Sequence, residues 1–536
     1  MQREIFQQRI KTNYTNSWSS ESKPNIIILF LVLTLALTSC SLDETPSSEL
    51  PESAAYTSKK NLYLNTVATL YNYIGGYEDG QGLQGTNRGI YDLQTFGSDE
   101  AMIPLRGGDW YDGGLWEAMY KHSWSAGHDL MKNSWLYLYK VITLCNRSLE
   151  TLDAYKDLAG EESYRTWTAE VRALRAMYYW YLIDLFGDVP LVTNSSVSMN
   201  EVKREKRAVV FKFCEEELYA VVHFLSNENS TREGDYYGRI TQPVAFFILA
   251  KLMLESEVYT GVPRWDECID YCDNLEDMDY SLEPIYSSNF LVYNQNSKEN
   301  IFTIPMDKNL FSNQQQNIIR SLHYRHAAAY GYNGENGTCA TLKTLQIFGY
   351  PDDFDPRFID CYHFSYDYGP EGEPIYDRMG KPLKYEPDKV LLDLSGSPYV
   401  ETAGARMYKY QFDKNAIKDG KLVDNDIVLF RYADVLLMRA EAKERLGQDG
   451  SADFNAVRTR AGAKERECTL DNILDERLLE LCWEGWRRPD LIRFNKYKSL
   501  YEGPDAIDES DGHTTVFPIP ADVRALNNNL TQNLGY

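Results

Sequence analysis

The chain has 536 residues, of which 43% are hydrophobic and 25% are charged, a composition typical of a globular protein with one large domain or a few smaller ones. Its formal net charge is −24, and because an acidic surface repels phosphate backbones, this charge argues against nucleic-acid binding. The 40 tyrosines suit a wet binding surface, although tyrosine also fills the interfaces between helices.

The first 40 residues have the pattern of an export signal. Basic residues precede the apolar run 26–37, which is too short to cross a bilayer core of about 30 Å as a helix rising about 1.5 Å per residue. The run ends in Leu37-Thr38-Ser39-Cys40, which resembles the bacterial lipobox. This pattern predicts cleavage after residue 39 and lipid attachment at Cys40, and the alternative is an ordinary signal peptide. An acyl chain would then be the only membrane anchor.

Residues 41–58 are polar and rich in proline and serine, which is typical of a flexible tether. We therefore expect a lipidated tether over 40–58 and a folded body that begins near Lys59. Next along the chain comes the stretch RGGDWYDGGLW, Arg106 to Trp116. Each of its four glycines would cost about 1 kcal/mol inside a helix, so the stretch is predicted to be a loop that carries aromatic rings.

Two stretches have the spacing of buried helices. Between residues 171 and 185, apolar side chains recur at steps of three and four, and Gly187 and Pro190 predict where this helix ends. A second helix is predicted from Thr241, as the N-cap, to Gly261. Residues 280–428 differ, because turn-forming residues dominate there and only short strand-like pieces appear, at 300–306 and 406–412.

A second helical block follows, with predicted helices at 430–447, 451–462 and 471–494. Short turns separate these helices, which favours antiparallel pairs of the tetratricopeptide type. The predicted fold is therefore mostly α, with a tetratricopeptide-like helical-pair scaffold and a large loop-rich, strand-poor face. Long irregular segments inside a compact domain usually carry function, so this face is expected to be functional.

Five blocks of the chain resemble the signature blocks of the SusD/RagB family of nutrient-binding outer-membrane lipoproteins. In chain order they are LRAMYYWYLIDLFGDVPLV, RYADVLLMRAEAKERLG, FNAVRTRAG, DERLLELCWEGWRRPDLIRF and FPIPADVRALNNNLTQNLGY. The resemblance implies a helical scaffold of tetratricopeptide-like pairs with a loop-rich ligand face. It also implies an oligosaccharide ligand, sometimes a peptide, a SusC-like TonB-dependent transporter as partner, and no catalysis.

The resemblance also places a sugar site near Arg106–Trp116. A sugar ring stacks its C–H face on an aromatic plane, while its hydroxyl groups bind carboxylates and guanidinium groups. Trp110, Tyr111 and Trp116 can supply the plane, and Asp112 is a further polar partner. The predicted glycan-binding residues are Asp99, Glu100, Arg106, Asp109, Trp110, Tyr111 and Trp116. The alternative is that Trp116 packs inward and Arg106 pairs with an internal aspartate.

No metal site and no cofactor are predicted. His323 and His326 share a helix face, but a pair without a third ligand favours a structural role. Cys268 and Cys272 lack a nearby histidine, so they too are interpreted as structural. Residues 508–512 resemble only the start of a calcium loop and lack its distal glutamate.

No catalytic motif of a metalloprotease, P-loop enzyme, α/β-hydrolase or dinucleotide-binding enzyme is present. Asp99 and Glu100 could be mistaken for the carboxylate pair of a glycoside hydrolase, but neighbours on a strand point to opposite sides. The block Trp483–Asp490 mixes aromatic and basic residues, and core packing with an internal Arg–Asp pair is its favoured interpretation.

The leading hypothesis is a surface-exposed, lipid-anchored outer-membrane protein that binds oligosaccharides and delivers them to a TonB-dependent transporter. The alternatives are a lipid-anchored glycoside hydrolase and a helical-repeat protein that binds peptides or proteins. The predicted organisation is a signal peptide at 1–39, a tether at 40–58 and a single domain at 59–536. Within that domain we expect a scaffold at 59–279 and 429–500, a loop-rich insertion at 280–428 and a C-terminal segment at 501–536.

Overall fold

Eight α-helices of ten or more residues form the scaffold of residues 55–536, the part of the chain that the computed structural model describes. They are α1 (Asp129–Ala154), α2 (Glu161–Phe186), α3 (Arg207–Val221), α4 (Gln242–Leu254), α5 (Trp265–Glu276), α6 (Tyr432–Arg445), α7 (Ser451–Arg460) and α8 (Leu470–Leu481). Cys40 and the predicted signal peptide lie outside the described residues.

Shorter α-helices connect and flank this scaffold. They are Lys59–Tyr63, Thr69–Tyr71, Ile90–Phe96, Leu115–Tyr120, Lys156–Ala159, Ser256–Thr260, Asn317–Ser321, Tyr324–Ala329, Leu342–Ile347, Phe358–Cys361, Arg487–Arg493 and Ala521–Leu526, with a π-helix at Leu64–Ala68. Among the described residues, no helix is both long enough and apolar enough to cross a membrane.

The strands of the described residues are two to five residues long, and eight of them form antiparallel pairs. The pairs are Ala101–Met102 with Cys339–Ala340, Val189–Pro190 with Arg204–Glu205, Asn300–Ile304 with Ile427–Arg431, and Tyr362–His363 with Arg406–Met407. A further strand, Gly107–Trp110, lies in the loop predicted to bind the ligand.

Successive long helices pack against one another: α1 on α2, α2 on α3, α4 on α5, α5 on α6, and α6 on both α7 and α8. The predicted mostly α fold, with its helical scaffold and strand-poor face, is confirmed. The apolar stripe predicted between residues 171 and 185 is buried along α2. Burial of each such side chain stabilises the fold by about 1.5–3 kcal/mol before the loss of conformational entropy is counted. Gly187, with φ of 70°, ends this helix where the sequence predicted.

Three predicted helices differ from the observed ones. The helix predicted from Thr241 to Gly261 breaks at Glu255, whose carboxylate is buried against Arg493. The helix predicted over 430–447 begins only at Tyr432, because Ile427–Arg431 pairs as a strand with Asn300–Ile304. The helix predicted over 471–494 breaks after Leu481.

The cause of that last break is a long-range hydrogen bond. Trp483 has φ of 64°, and its backbone N–H donates to the buried carboxylate of Glu100 instead of continuing the helix. The indole of Trp483 is buried, and Arg487 pairs with Asp99 in the helix that follows. Core packing with an internal Arg–Asp pair, as predicted for Trp483–Asp490, is confirmed.

A buried ionic network joins the loop-rich region to the C-terminal helices. Glu480 on α8 accepts from Arg431 at 2.5 Å and from Arg357 at 2.8 Å, and it also pairs with Arg460. The three arginine side chains are at most 4% exposed. Although burial alone would raise the pKa of Glu480, the arginines hold it well below its ordinary value.

We expect Glu480→Gln to lower the free energy of unfolding by about 3–5 kcal/mol, because the variant removes the carboxylate that three buried arginines share and leaves their network one negative charge short. Denaturant-induced unfolding measures the change. The control is Glu216→Gln, which removes an exposed partner of Lys212 at 3.5 Å and should change stability by less than about 0.5 kcal/mol. Equal effects of the two substitutions would contradict this account of the network.

Candidate functional site

The stretch Arg106–Trp116 is a hairpin and a tight turn, followed by a helix that begins at Leu115. Most of its backbone is left-handed, which the glycines permit. The positive φ angles are 69° at Gly107, 141° at Gly108, 66° at Trp110, 41° at Asp112, 70° at Gly113 and 83° at Gly114. The stretch up to Gly114 is therefore not an α-helix, as the glycines predicted.

Trp110 adopts a left-handed backbone without being glycine, at a cost of the order of 1 kcal/mol. Its indole Nε1 donates to the backbone oxygen of Glu335 at 3.0 Å. Its ring lies against Gly337, where a Cβ atom would come within 2.5 Å of the ring. The ring is therefore held in one position while remaining partly exposed.

Side chains of the loop-rich region adjoin this hairpin. The hydroxyl of Tyr324 donates to Asp109 Oδ2 at 2.9 Å, and the guanidinium of Arg378 lies 4.7 Å from the centre of the Tyr324 ring. Arg378 in turn pairs with Glu401 at 3.2 Å. Burial and the contact with Asp109 raise the pKa of Tyr324 to about 12, so Tyr324 stays protonated and acts as a donor.

Further polar and aromatic side chains lie on the turn that follows Trp110 in the chain. Tyr111 is 59% exposed, and Arg88 pairs with Asp112 at 3.0 Å. Asp112 also accepts from the indole Nε1 of Trp116 at 2.8 Å, which ties the turn to the helix below it. We call Trp110, its neighbours in the hairpin and turn, and the side chains that these contacts connect to them the Trp110 face. Its members are Arg88, Asp109, Trp110, Tyr111, Asp112, Tyr324, Arg378 and Glu401.

Two of the predicted glycan-binding residues from this stretch lie inside the protein. Trp116 is 2% exposed and packs edge-on against Phe96, with ring centres 5.5 Å apart. Arg106 is 5% exposed and donates to the backbone oxygens of Val400 at 2.8 Å and Ala403 at 2.9 Å. Its observed partners are thus carbonyl groups rather than an aspartate, and burial lowers the pKa of Arg106 to about 9.

Asp99 and Glu100 are also interior residues. Asp99 pairs with Arg487 at 2.6 Å, and Glu100 is fully buried beneath the backbone of Trp483. Burial raises the pKa of Glu100 to about 7. A surface ligand has no access to Asp99, Glu100, Arg106 or Trp116, so these four residues are removed from the candidate set.

Four members of the Trp110 face were not predicted from the sequence: Arg88, Tyr324, Arg378 and Glu401. Tyr324 lies 215 positions from Asp109 along the chain, and no local pattern signals that contact. Two surface cavities, of about 370 and 530 Å³, lie elsewhere, and Trp110 lines neither of them. The larger one is lined by tyrosines, among them Tyr63, Tyr73 and Tyr77.

Comparison with known proteins assigns the chain to a family. One family model, described as "SusD family", matches residues 290–536, and another, described as "Starch-binding associating with outer membrane", matches residues 85–254. The chain belongs to the SusD/RagB family. The family expected from the five sequence blocks is thereby confirmed.

Relatives of known name match over nearly the whole chain. The starch-binding protein SusD of Bacteroides thetaiotaomicron is 27% identical, covering 95% of this chain and 98% of the relative. A SusD-like protein of Bacteroides ovatus is 24% identical over 89% of this chain and 83% of its own length.

Solved structures share the fold. A laminarin-binding SusD-like protein has a TM-score of 0.70 at 20% identity and covers 90% of this chain and 100% of its own. Surface glycan-binding protein A of Bacteroides thetaiotaomicron, solved with laminarihexaose, has a TM-score of 0.68 at 20% identity and covers 89% of this chain and 100% of its own.

The raised pKa of Glu100 predicts a pH-dependent loss of stability. Between its ordinary pKa of 4.5 and its folded value of about 7, the folded state holds a proton that the unfolded state has lost. The stabilising contribution is therefore complete below pH 4.5 and disappears as the pH rises through 7, an effect of the order of 3 kcal/mol.

Glu100→Gln keeps the side-chain shape but cannot ionise. We expect the variant to gain stability relative to the unmodified protein at pH 8 and to gain much less at pH 5. Denaturation midpoints across this pH range measure the difference, with Glu216→Gln as the exposed control. Parallel pH profiles for the Glu100 variant and the unmodified protein would contradict the assignment.

Proposed function

We propose that this protein is a surface-exposed outer-membrane lipoprotein that binds oligosaccharides on the Trp110 face and delivers them to a partner TonB-dependent transporter. The observation that carries the proposal is the partly exposed Trp110 ring, fixed by its hydrogen bond to Glu335, on a hairpin whose Asp109 accepts from the Tyr324 hydroxyl. The left-handed backbone of Trp110 is stabilised by the contacts of its ring with Glu335 and Gly337.

The chemistry of the Trp110 face suits a sugar. The indole of Trp110 and the ring of Tyr111 offer apolar surface to the C–H face of a pyranose. Asp109, Asp112 and Glu401 accept hydrogen bonds from hydroxyl groups, while Arg88 and Arg378 donate them. Arg88 and Arg378 already pair with Asp112 and Glu401. A sugar hydroxyl can therefore hydrogen-bond to any of these groups while each charge keeps a polar partner.

Relatives support the choice of ligand class. One is named for starch binding, another for laminarin binding, and a third was solved with laminarihexaose. Binding without hydrolysis is favoured because Asp99 and Glu100, which resemble a catalytic carboxylate pair in sequence, are buried and engaged within the protein. A glycosidic bond has no route between them.

The membrane part of the proposal depends on the lipobox at Cys40 and on the family description. The matching model is described as associating with the outer membrane. An acyl group on Cys40 would hold the folded body to the membrane through the tether at 40–58, close to a transporter in the same bilayer. Ligand captured on the Trp110 face would then be released to that transporter.

We expect Trp110→Ala to weaken oligosaccharide binding at least about fivefold, since one aromatic contact contributes roughly 0.5–1.5 kcal/mol beyond its buried area. Calorimetric titration with starch and laminarin oligosaccharides measures the change. Tyr111→Ala should weaken binding too, because that ring is 59% exposed and makes the second aromatic surface.

The matched control is Tyr219→Ala, which removes a ring that is 68% exposed on α3, outside the Trp110 face. This variant should bind as the unmodified protein does. Trp110→Phe keeps an apolar ring but loses the hydrogen bond to Glu335, so it separates stacking from positioning. If Trp110→Ala lowers only the melting temperature and the oligosaccharide affinity is unchanged, the Trp110 face is not the binding site.

We also expect the protein, extracted from outer membranes with mild detergent, to co-purify with a TonB-dependent transporter and to carry acyl chains on Cys40. Affinity capture followed by mass spectrometry of the complex and of the N-terminal peptide measures both. Cys40→Ala is the matched control and should leave the membrane fraction. Recovery of the acylated protein without any such transporter would refute the partnership while leaving the anchor intact.

A further inference from the structure

His326, His363 and Asp367 form a cluster that the glycan proposal does not use. They come from three places in the fold: the helix Tyr324–Ala329, the strand Tyr362–His363, and the residues just after that strand. One potential ligand atom from each lies within 4.8 Å of those of the other two. From the sequence His326 had only His323 as a possible partner, which favoured a structural role, because His363 and Asp367 come close to it only in the folded chain.

Each of the three residues has a buried polar atom without a hydrogen-bond partner within the protein. These atoms are His326 Nε2, His363 Nε2 and Asp367 Oδ2. A buried polar atom left unsatisfied costs about 1–3 kcal/mol. Other buried polar atoms of the described residues also lack a protein partner, but this cluster brings three of them together on residue types that bind metals, so one ion would satisfy all three.

The other polar atoms of the cluster are already engaged. His326 Nδ1 contacts the hydroxyl of Tyr385 at 3.1 Å, and His363 Nδ1 contacts Asp367 Oδ1 at 2.7 Å. Metal-binding histidines use their second ring nitrogen as His326 does, which orients the ring and leaves Nε2 free for the ion. Asp367 lies on the Nδ1 side of the His363 ring, so its carboxylate must leave that contact to reach an ion bound at His363 Nε2. The Phe412 ring lies parallel to that of His363, with centres 5.7 Å apart, and further restricts its orientation.

We propose that His326, His363 and Asp367 bind one divalent transition-metal ion, with Zn²⁺ as the expected occupant. Two imidazoles and one carboxylate suit Zn²⁺, and a tetrahedral site would keep its fourth position for water. Bonds of about 2.0–2.1 Å place the ligand atoms about 3.4 Å apart, so atoms that lie within 4.8 Å of one another must close by at most about 1.4 Å. The side chain of Asp367 is 16% exposed whereas His326 is fully buried, so Asp367 is the member expected to move.

The bound ion would cross-link the loop-rich region. Asp367 begins a segment that is held together by isolated β-bridges, Tyr366 to Lys384 and Tyr376 to Pro382 among them. Exposed tyrosines on this segment include Tyr366, Tyr368 and Tyr376. The helix that carries His326 begins at Tyr324, a member of the Trp110 face. Metal binding would therefore stabilise the segment against local opening, next to the proposed glycan site.

The test uses purified, tag-free protein stripped of metal with a chelator and then titrated with Zn²⁺. We expect one Zn²⁺ per chain by elemental analysis and calorimetry, together with a rise in melting temperature. His326→Gln and His363→Gln should each weaken binding at least about 100-fold, and Asp367→Asn about 10–100-fold. The matched control is His513→Gln, which alters a His–Asp pair, His513 with Asp511 at 2.6 Å, outside the cluster.

The proposal is overturned if the stripped protein binds no Zn²⁺ stoichiometrically, or if it binds Ca²⁺ in preference. Zn²⁺ affinity unaffected by Asp367→Asn and by His363→Gln would also overturn it, since the ion would then be held elsewhere. Should His326→Gln fail to fold, the visible absorption of the Co²⁺-loaded unmodified protein decides the matter, because a tetrahedral site gives an intense band. The readout does not involve glycan, so its failure leaves the glycan proposal untouched.

Discussion

The loop-rich region is joined to the helical scaffold through one buried charge, the carboxylate of Glu480. An isolated carboxylate in the interior would cost several kcal/mol, and Glu480 is tolerated there because Arg357, Arg431 and Arg460 surround it. These arginines come from a loop, a strand and a helix. Any arrangement that moves one of these elements away leaves buried charge uncompensated, so the network selects a single docking of residues 280–428, which contain no long helix of their own.

The proposed binding surface is held in place by the packing of the loop-rich region against the rest of the protein. Tyr324, Arg378 and Glu401 belong to the loop-rich region, whereas Asp109 and Trp110 belong to the first half of the chain. The short strand pair between Ala101–Met102 and Cys339–Ala340 brings the two parts side by side. A surface assembled in this way is preorganised, so little of the binding free energy is spent on ordering it. A metal ion bound by His326, His363 and Asp367 would likewise preorganise the neighbouring segment that carries Tyr366, Tyr368 and Tyr376.

The helical scaffold was largely predictable because it depends on local signals. The apolar stripe of α2 and its glycine stop follow from spacing, and the left-handed turn after Arg106 follows from the glycines. What escaped prediction depends on partners far away in the chain. Asp99 pairs with Arg487, 388 positions away, and Glu100 interrupts a helix at Trp483. Polar residues next to an aromatic loop therefore resembled ligand-binding groups, although their charges are neutralised or buried inside the protein.

The charges of the Trp110 face constrain what it can bind. Its two guanidinium groups are already paired, Arg88 with Asp112 and Arg378 with Glu401, and Asp109 accepts from Tyr324. The face thus carries three carboxylates against two cations, on a chain whose formal charge is −24. Both cations of this face are already neutralised by carboxylates, so they offer a polyanionic chain no free positive charge. The net negative charge of the protein would repel such a chain. A neutral oligosaccharide meets no such penalty, because its hydroxyl groups can donate to the carboxylates and accept from the guanidinium groups while the ion pairs persist.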